Sequence, residues 1–127
     1  MDQLCQSLLA RVDAGREKAL ALLQALLRAP SPNPPGDTRA TTAIVIERLR
    51  AAGLEPMVFA PNEAMPNIVA RFDGGRPGRH LVLNGHLDVF PVAPREWTQD
   101  PWGGSIHEGR VYGRGACDMK GGLASLL

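Results

Sequence analysis

HLVLNGHLDVFP, residues 80–91, holds the pattern that decides the fold. Leu81, Val82 and Leu83 follow one another without a polar residue, so an extended run there is apolar on both faces, the mark of a central strand in an α/β sheet. His86 and Asp88 come just after it. The strand period of two turns both side chains to the same side at the C-terminal end, where open α/β sheets bind their ligands. A neutral imidazole is a common metal ligand, and a nearby carboxylate can accept the other ring N–H and fix the tautomer. Taken alone, His-x-Asp also arises by chance and more often reads as a structural pair.

Upstream, Leu4, Leu8 and Val12 recur every four residues, and Leu22, Leu23, Leu26 and Leu27 continue at helical spacing, which predicts an amphipathic helix from Met1 to Arg28 stopped by Pro30. PSPNPPGD, residues 30–37, holds four prolines and a glycine and reads as a stiff extended loop. Asp37 is placed to cap a second helix over residues 38–52, with Val45, Ile46, Leu49 and Ala52 on one face and Gly53 as its left-handed stop. The β-branched cluster of Thr41, Thr42, Ile44, Val45 and Ile46 opposes that helix by propensity. PMVFA at 56–60 and NIVARF at 67–72 read as strands, and DGGRPGR as the hairpin loop that leads into residues 80–85. Residues 89–105 carry three prolines and no periodicity. Trp97 and Trp102 argue that this long loop is packed rather than disordered, whether they line a cleft or pin the loop to the core. A short β segment near Arg110–Tyr112 then leads to GRGACDMKGG and a helix beginning at GGLASLL.

The 127 residues suffice for one core and argue against two domains; 44% are hydrophobic. Fourteen basic and 13 acidic residues leave a formal charge of +1, so no polyanionic partner is indicated: no nucleic acid and no anionic membrane. The N-terminus lacks a basic stretch ahead of an apolar one, and LALLQALL at 20–27 is far shorter than the roughly 20 residues that span a bilayer. With Cys5 and Cys117 far apart, a cytoplasmic location is expected.

Asp118, in GRGACDMKGG, stands among four glycines, Gly113, Gly115, Gly121 and Gly122, which allow close backbone approach or positive φ. Two readings stand side by side: a carboxylate presented to cations at a tight turn, or a cap for the helix that follows. A phosphate cradle built on Lys120 is a third, and the absent Walker pattern argues against it. Cys117 could be a thiolate ligand or reactive thiol, though a lone cysteine is more often a small buried residue. His80 and His107 have no partner at ligand spacing, and Arg114 suits a salt bridge that holds the turn.

GHLDVFP, EWTQDPWGG and VYGRGACDMKGG, in this order and spacing, resemble the metal-dependent amidohydrolase and peptidase family of acetylornithine deacetylase, succinyl-diaminopimelate desuccinylase, aminoacylase and glutamate carboxypeptidase. SPNPPGD is similar to the substrate-side loop of the deacetylase and desuccinylase branch, and Trp102 stands where the family more often has phenylalanine. The resemblance implies a zinc-exopeptidase-like α/β fold, a mixed central sheet with flanking helices. Residues 1–127 would be the N-terminal part of the metal-binding catalytic domain, with the rest of that domain and any dimerisation domain absent. It implies that His86 binds one metal, that Asp118 bridges two, and that Asp88 is the catalytic partner of His86. Two Zn2+ ions per complete site, or Co2+ in their place, an N-acyl amino acid or small peptide as substrate, and homodimeric full-length relatives are expected on the same ground. So is a cis bond between Asp118 and Met119. The family's base is the first of two adjacent glutamates, and no Glu-Glu pair occurs here. The rival expectation is a truncated, non-catalytic product or a module that binds metal or a partner without turnover.

Overall fold

The computed structural model describes residues 2–93 and 97–127. Met1, at the head of the expected first helix, and Glu96, at the head of EWTQDPWGG, lie outside them. Helix α1, Gln3–Leu27, begins where the Asp2 carboxylate accepts the Leu4 N–H at 3.3 Å. It ends three residues before Pro30, whose ring would clash with the preceding turn. Helix α2, Arg39–Ala51, overrides its β-branched propensity because Thr41, Thr42 and Val45 are buried. Thr38 holds the N-cap position without a side-chain bond, while Asp37, the expected cap, accepts the Arg39 N–H at 3.1 Å and pairs with the Arg39 guanidinium. Gly53, at φ 79°, stops α2 as its left-handed terminator.

Strand β1, Met57–Phe59, pairs antiparallel with β2, Asn67–Val69, in the register Val58 to Ile68. Strands β3, Ser105–His107, and β4, Arg110–Tyr112, form a second hairpin. Its two-residue turn, Glu108-Gly109, has positive φ at both positions (49° and 73°), the twist that suits such a connection. Helix α3, Gly121–Leu126, closes the chain.

The expected mixed central sheet is not found among the described residues, which hold only these two antiparallel pairs and one isolated parallel bridge, Pro32 to Val89. Residues 80–85 form no strand, and DGGRPGR does not close a hairpin, since β2 pairs back onto β1. The reason is physical. A run that is apolar on both faces needs neighbours at both edges and a layer on each side. Among the described residues none pairs with it, and Leu81 and Val82 stand 82% and 81% exposed.

Packing concentrates elsewhere. Leu26, Val45, Leu123 and Ala124 form the buried core, flanked by Leu22, Leu23, Ile44, Leu49, Ile68, Leu87 and Met119. The C-terminal end of α1 thus meets α2, α3 and the turn before α3, while its N-terminal stripe of Leu4, Leu8 and Val12 remains exposed. No described helix is long and apolar enough to cross a membrane.

Candidate metal centre

His86 and Asp118 lie on two segments, distant in sequence, that pack against one another. In the first segment, residues 87–89 lie along the proline-rich loop: Val89 N–H donates to the Ser31 carbonyl and Asn33 N–H to the Val89 carbonyl, both at 2.9 Å. The buried Ser31 hydroxyl donates to the Leu87 carbonyl at 2.7 Å. Proline suits this loop because Pro32 lies between the bonded residues, where its missing N–H costs no ladder bond.

In the second segment, Ala116–Lys120 forms a wide turn whose backbone leaves helical geometry at Asp118 (φ −127°, ψ 96°) and Met119. The Asp118–Met119 peptide is cis. Glycine is required at Gly115, where φ is +86° and a Cβ would lie 2.5 Å from the Val89 side chain. Gly85 is also close-packed, since a Cβ there would come within 2.8 Å of the Leu123 side chain and 3.0 Å of the Met119 methyl. The Met119 sulfur in turn receives the His86 N–H at 3.4 Å. Backbone of one motif therefore rests directly on side chains of the other.

The result is a meeting of functional groups. His86 Nε2 lies 2.9 Å from Asp118 Oδ1, and His86 Nδ1 lies 2.9 Å from the Asp88 carbonyl and 3.3 Å from Asp88 Oδ1. A carbonyl can only accept, so Nδ1 carries the proton and Nε2 faces Asp118. Two lone pairs would then oppose one another at 2.9 Å unless a proton or another cation lies between them. Desolvation, the largest single influence, acts to lower the His86 pKa, but the Asp88 carbonyl and the Asp118 and Asp88 carboxylates together outweigh it and hold the imidazolium above its ordinary 6.5. Asp88 ionises below the usual carboxylate range chiefly because Asn33 Nδ2 donates to its Oδ2 at 2.9 Å, against the opposing effect of burial.

The other candidates take different places. Lys120 is wholly buried and donates to the Leu26 and Ala29 carbonyls, each at 2.8 Å, so it is turned away from any anion and no phosphate cradle forms. Burial pushes its ammonium down to about 8. Cys117 is exposed and unbonded to Cys5. His80 is exposed, and His107 packs edge-on against Tyr112 with ring centres 6.1 Å apart. Among the described residues Arg114 makes no ion pair; its guanidinium lies 5.2 Å over the Trp97 ring. Gln24 of α1 and Arg28, its C-cap, reach the carbonyls of Gly104 and Gly103, at 2.7 and 3.0 Å, and so pin the loop that bears the tryptophans. Asn33 and Ser31 were not singled out by sequence, because their partners lie 55 and 56 residues away.

An imidazole and a carboxylate brought together from separate segments, on a scaffold that mixes helices with small sheets, define a candidate centre for a divalent cation. Comparison with known proteins gives a partial likeness: residues 82–127 match the model of peptidase family M20/M25/M40. Over 115 residues, 87% of this chain, it is 43% identical to succinyl-diaminopimelate desuccinylase of Methylobacterium radiotolerans. It is 40% identical over 112 residues to the enzyme of that name from Gluconacetobacter diazotrophicus, and 39% identical over 129 residues to N-formyl-4-amino-5-aminomethyl-2-methylpyrimidine deformylase of Halalkalibacterium halodurans. The chain spans 28% of the length of the first two relatives and 30% of the third. Its similarity to this peptidase family is therefore that of a part, consistent with an N-terminal one.

Proposed function

We propose that this chain contributes His86, Asp88 and Asp118 to a two-metal hydrolase that cleaves the amide bond of N-acyl amino acids or small peptides. The observation that carries the reading is the 2.9 Å approach of His86 Nε2 to Asp118 Oδ1, with Nδ1 committed to Asp88. Nitrogen and oxygen donors of this kind suit zinc, and cobalt can replace it. The ring orientation imposed by the second nitrogen is the one expected of a metal-bound histidine. His86 and Asp118 would hold the metal, with Asp118 shared between two ions, and Asp88 would orient His86. When bound, zinc would lower the pKa of water and polarise the scissile carbonyl.

The residues of this chain do the preparatory work. Asp88 holds the imidazole in one tautomer, and Asp118 stabilises positive charge at Nε2, whether that charge is a proton or a metal ion. The proton shuttle to the leaving amine would come from a glutamate outside these residues. Zinc sites take three or four protein ligands as a rule. Among the described residues no group of three or more His, Cys, Asp or Glu side chains converges, so the remaining ligands would come from outside them; the second reading is a module that binds metal, or a partner, without turnover. The uncovered Leu81–Leu83 run fits the same picture of a catalytic-domain part that adds strands from elsewhere. Cytoplasmic location and a homodimeric complete protein belong to this proposal as well.

Zinc and cobalt titrations of the 127-residue chain should find weak binding that His86→Ala and Asp118→Ala remove, and no hydrolysis of N-succinyl-diaminopimelate or acetylornithine. The full product of the gene should hydrolyse at least one such substrate in a zinc-dependent way. Metal binding by the full product without turnover would select the second reading, and metal binding indifferent to both substitutions would refute the site.

A further inference from the structure

The Asp88 carboxylate lies between two groups. Its Oδ1 is 3.3 Å from His86 Nδ1, while its Oδ2 accepts from Asn33 Nδ2 at 2.9 Å. Because the proton of Nδ1 goes to the Asp88 carbonyl, the hydrogen bond that fixes the carboxylate's orientation is the one from Asn33. That bond is useful only if Asn33 is itself fixed.

Asn33 is fixed. Its backbone N–H is bonded to the Val89 carbonyl, Val89 N–H is bonded to Ser31, and the Ser31 hydroxyl is bonded to Leu87. The residues on both sides of Asp88 are thus tied to the residues on both sides of Pro32. Pro32, Pro34 and Pro35 restrict φ in the same stretch, which lowers the freedom the loop must lose to present an amide at one point. The choice of a neutral donor is also informative. A lysine or arginine at this place would neutralise Asp88, whereas an amide leaves its full negative charge to act on His86.

We propose that Asn33 is a positioning residue of the metal centre: its side-chain amide, carried on the proline-braced loop, holds the Asp88 carboxylate in the orientation that faces His86. The proposal rests on the metal-centre reading for its consequence, but its geometric part stands without a metal. Among the described residues Asn33 makes no hydrogen bond to His86 or Asp118, so its link to the centre runs through Asp88.

Asn33→Leu keeps the approximate shape of the side chain and removes the donor; Asn33→Ala removes both. Asn33 is exposed, so both variants should keep the parent's circular dichroism. In the metal-free chain, three-bond NMR couplings at Asp88 should report one χ1 rotamer in the parent and rotamer averaging in both variants. Cobalt affinity, read from visible absorption, should fall about 10–100-fold in both, the usual cost of losing a group that orients a ligand's partner. A single rotamer retained in Asn33→Leu overturns the proposal, as does averaging with cobalt affinity unchanged. If the parent itself takes up no cobalt, the metal-centre reading fails, and the couplings still decide whether Asn33 fixes Asp88.

Discussion

At the residue scale, the pair His86–Asp118 makes a proton and a metal ion competitors for one position. With Nδ1–H committed to the Asp88 carbonyl, any positive charge added to the ring must appear at Nε2, opposite the Asp118 carboxylate. The folded pKa of His86 is raised above 6.5, so its protonation adds stability that is fully present below 6.5 and is lost as pH rises through the folded value. NMR titration of the metal-free chain should therefore place the His86 midpoint above 6.5. Asp118→Asn, which keeps the shape and removes the charge, should lower it, and an unchanged midpoint would show that Asp118 does not act on this ring. The same competition predicts that cobalt binding weakens as pH falls through that midpoint. Each motif alone leaves its reading open, His-x-Asp as a structural pair and Asp118 as a helix cap, and it is the resemblance of three motifs in order that joins the two residues, which the fold brings to 2.9 Å. Asn33 was not legible, since a polar residue between prolines gives no sign of a partner 55 positions away.

At the element scale, the turn that presents Asp118 is anchored to the end of a helix. Helix α1 ends with carbonyls that have no partner within it, and the negative end of its dipole lies there. Lys120 satisfies two acceptors in this region, Leu26 and Ala29, from a position just two residues after Asp118. Thr41 of α2 also donates to Ala29, at 3.3 Å, so three elements share one junction. Lys120→Met keeps the length and the apolar stem but removes the closer donor from both carbonyls, leaving Leu26 with the Ala29 N–H and Ala29 with the Thr41 hydroxyl, each at 3.3 Å, at a cost of about 1–3 kcal/mol. Urea unfolding followed by circular dichroism should show a midpoint shift of that size, whereas a shift below about 0.5 kcal/mol would mean that water or rearrangement replaces the ammonium. Helix ends were legible here because they depend on local chemistry: Pro30 and Gly53 stand where α1 and α2 stop. The role of Lys120 was not, because a lysine in a glycine-rich turn reads as an anion binder until its burial is known. Residues 80–85 failed for the opposite reason. Their pattern describes the surroundings that a strand needs, and pattern alone does not supply neighbours.

At the scale of the whole molecule, apolar surface divides into two populations with different consequences. Leu26, Val45, Leu123 and Ala124 exclude water around the foot of α1, and they hold the two motif segments together. Leu4, Leu8, Leu9 and Val12 along the rest of α1, with Leu81, Val82, Leu83 and Phe90, face outward. Exposed apolar surface in such contiguous stripes drives association, because each side chain gains roughly 25 cal/mol per Å2 when another surface covers it. The 127-residue chain should therefore self-associate with rising concentration, visible as a growing hydrodynamic radius in light scattering. Substitutions should separate the two populations. Val12, 70% exposed, makes little contribution to the fold, so Val12→Lys should reduce association and leave the unfolding midpoint nearly unchanged. Leu26→Ala should do the reverse, costing about 2–5 kcal/mol of stability through lost burial and the cavity left behind. It should also loosen the junction with Lys120, and the distance from His86 to Asp118 with it, so cobalt affinity should fall in Leu26→Ala and hold in Val12→Lys. Equal effects of the two substitutions on cobalt binding would mean that the centre is not organised from the foot of α1, and that the contacts described there do not set its geometry.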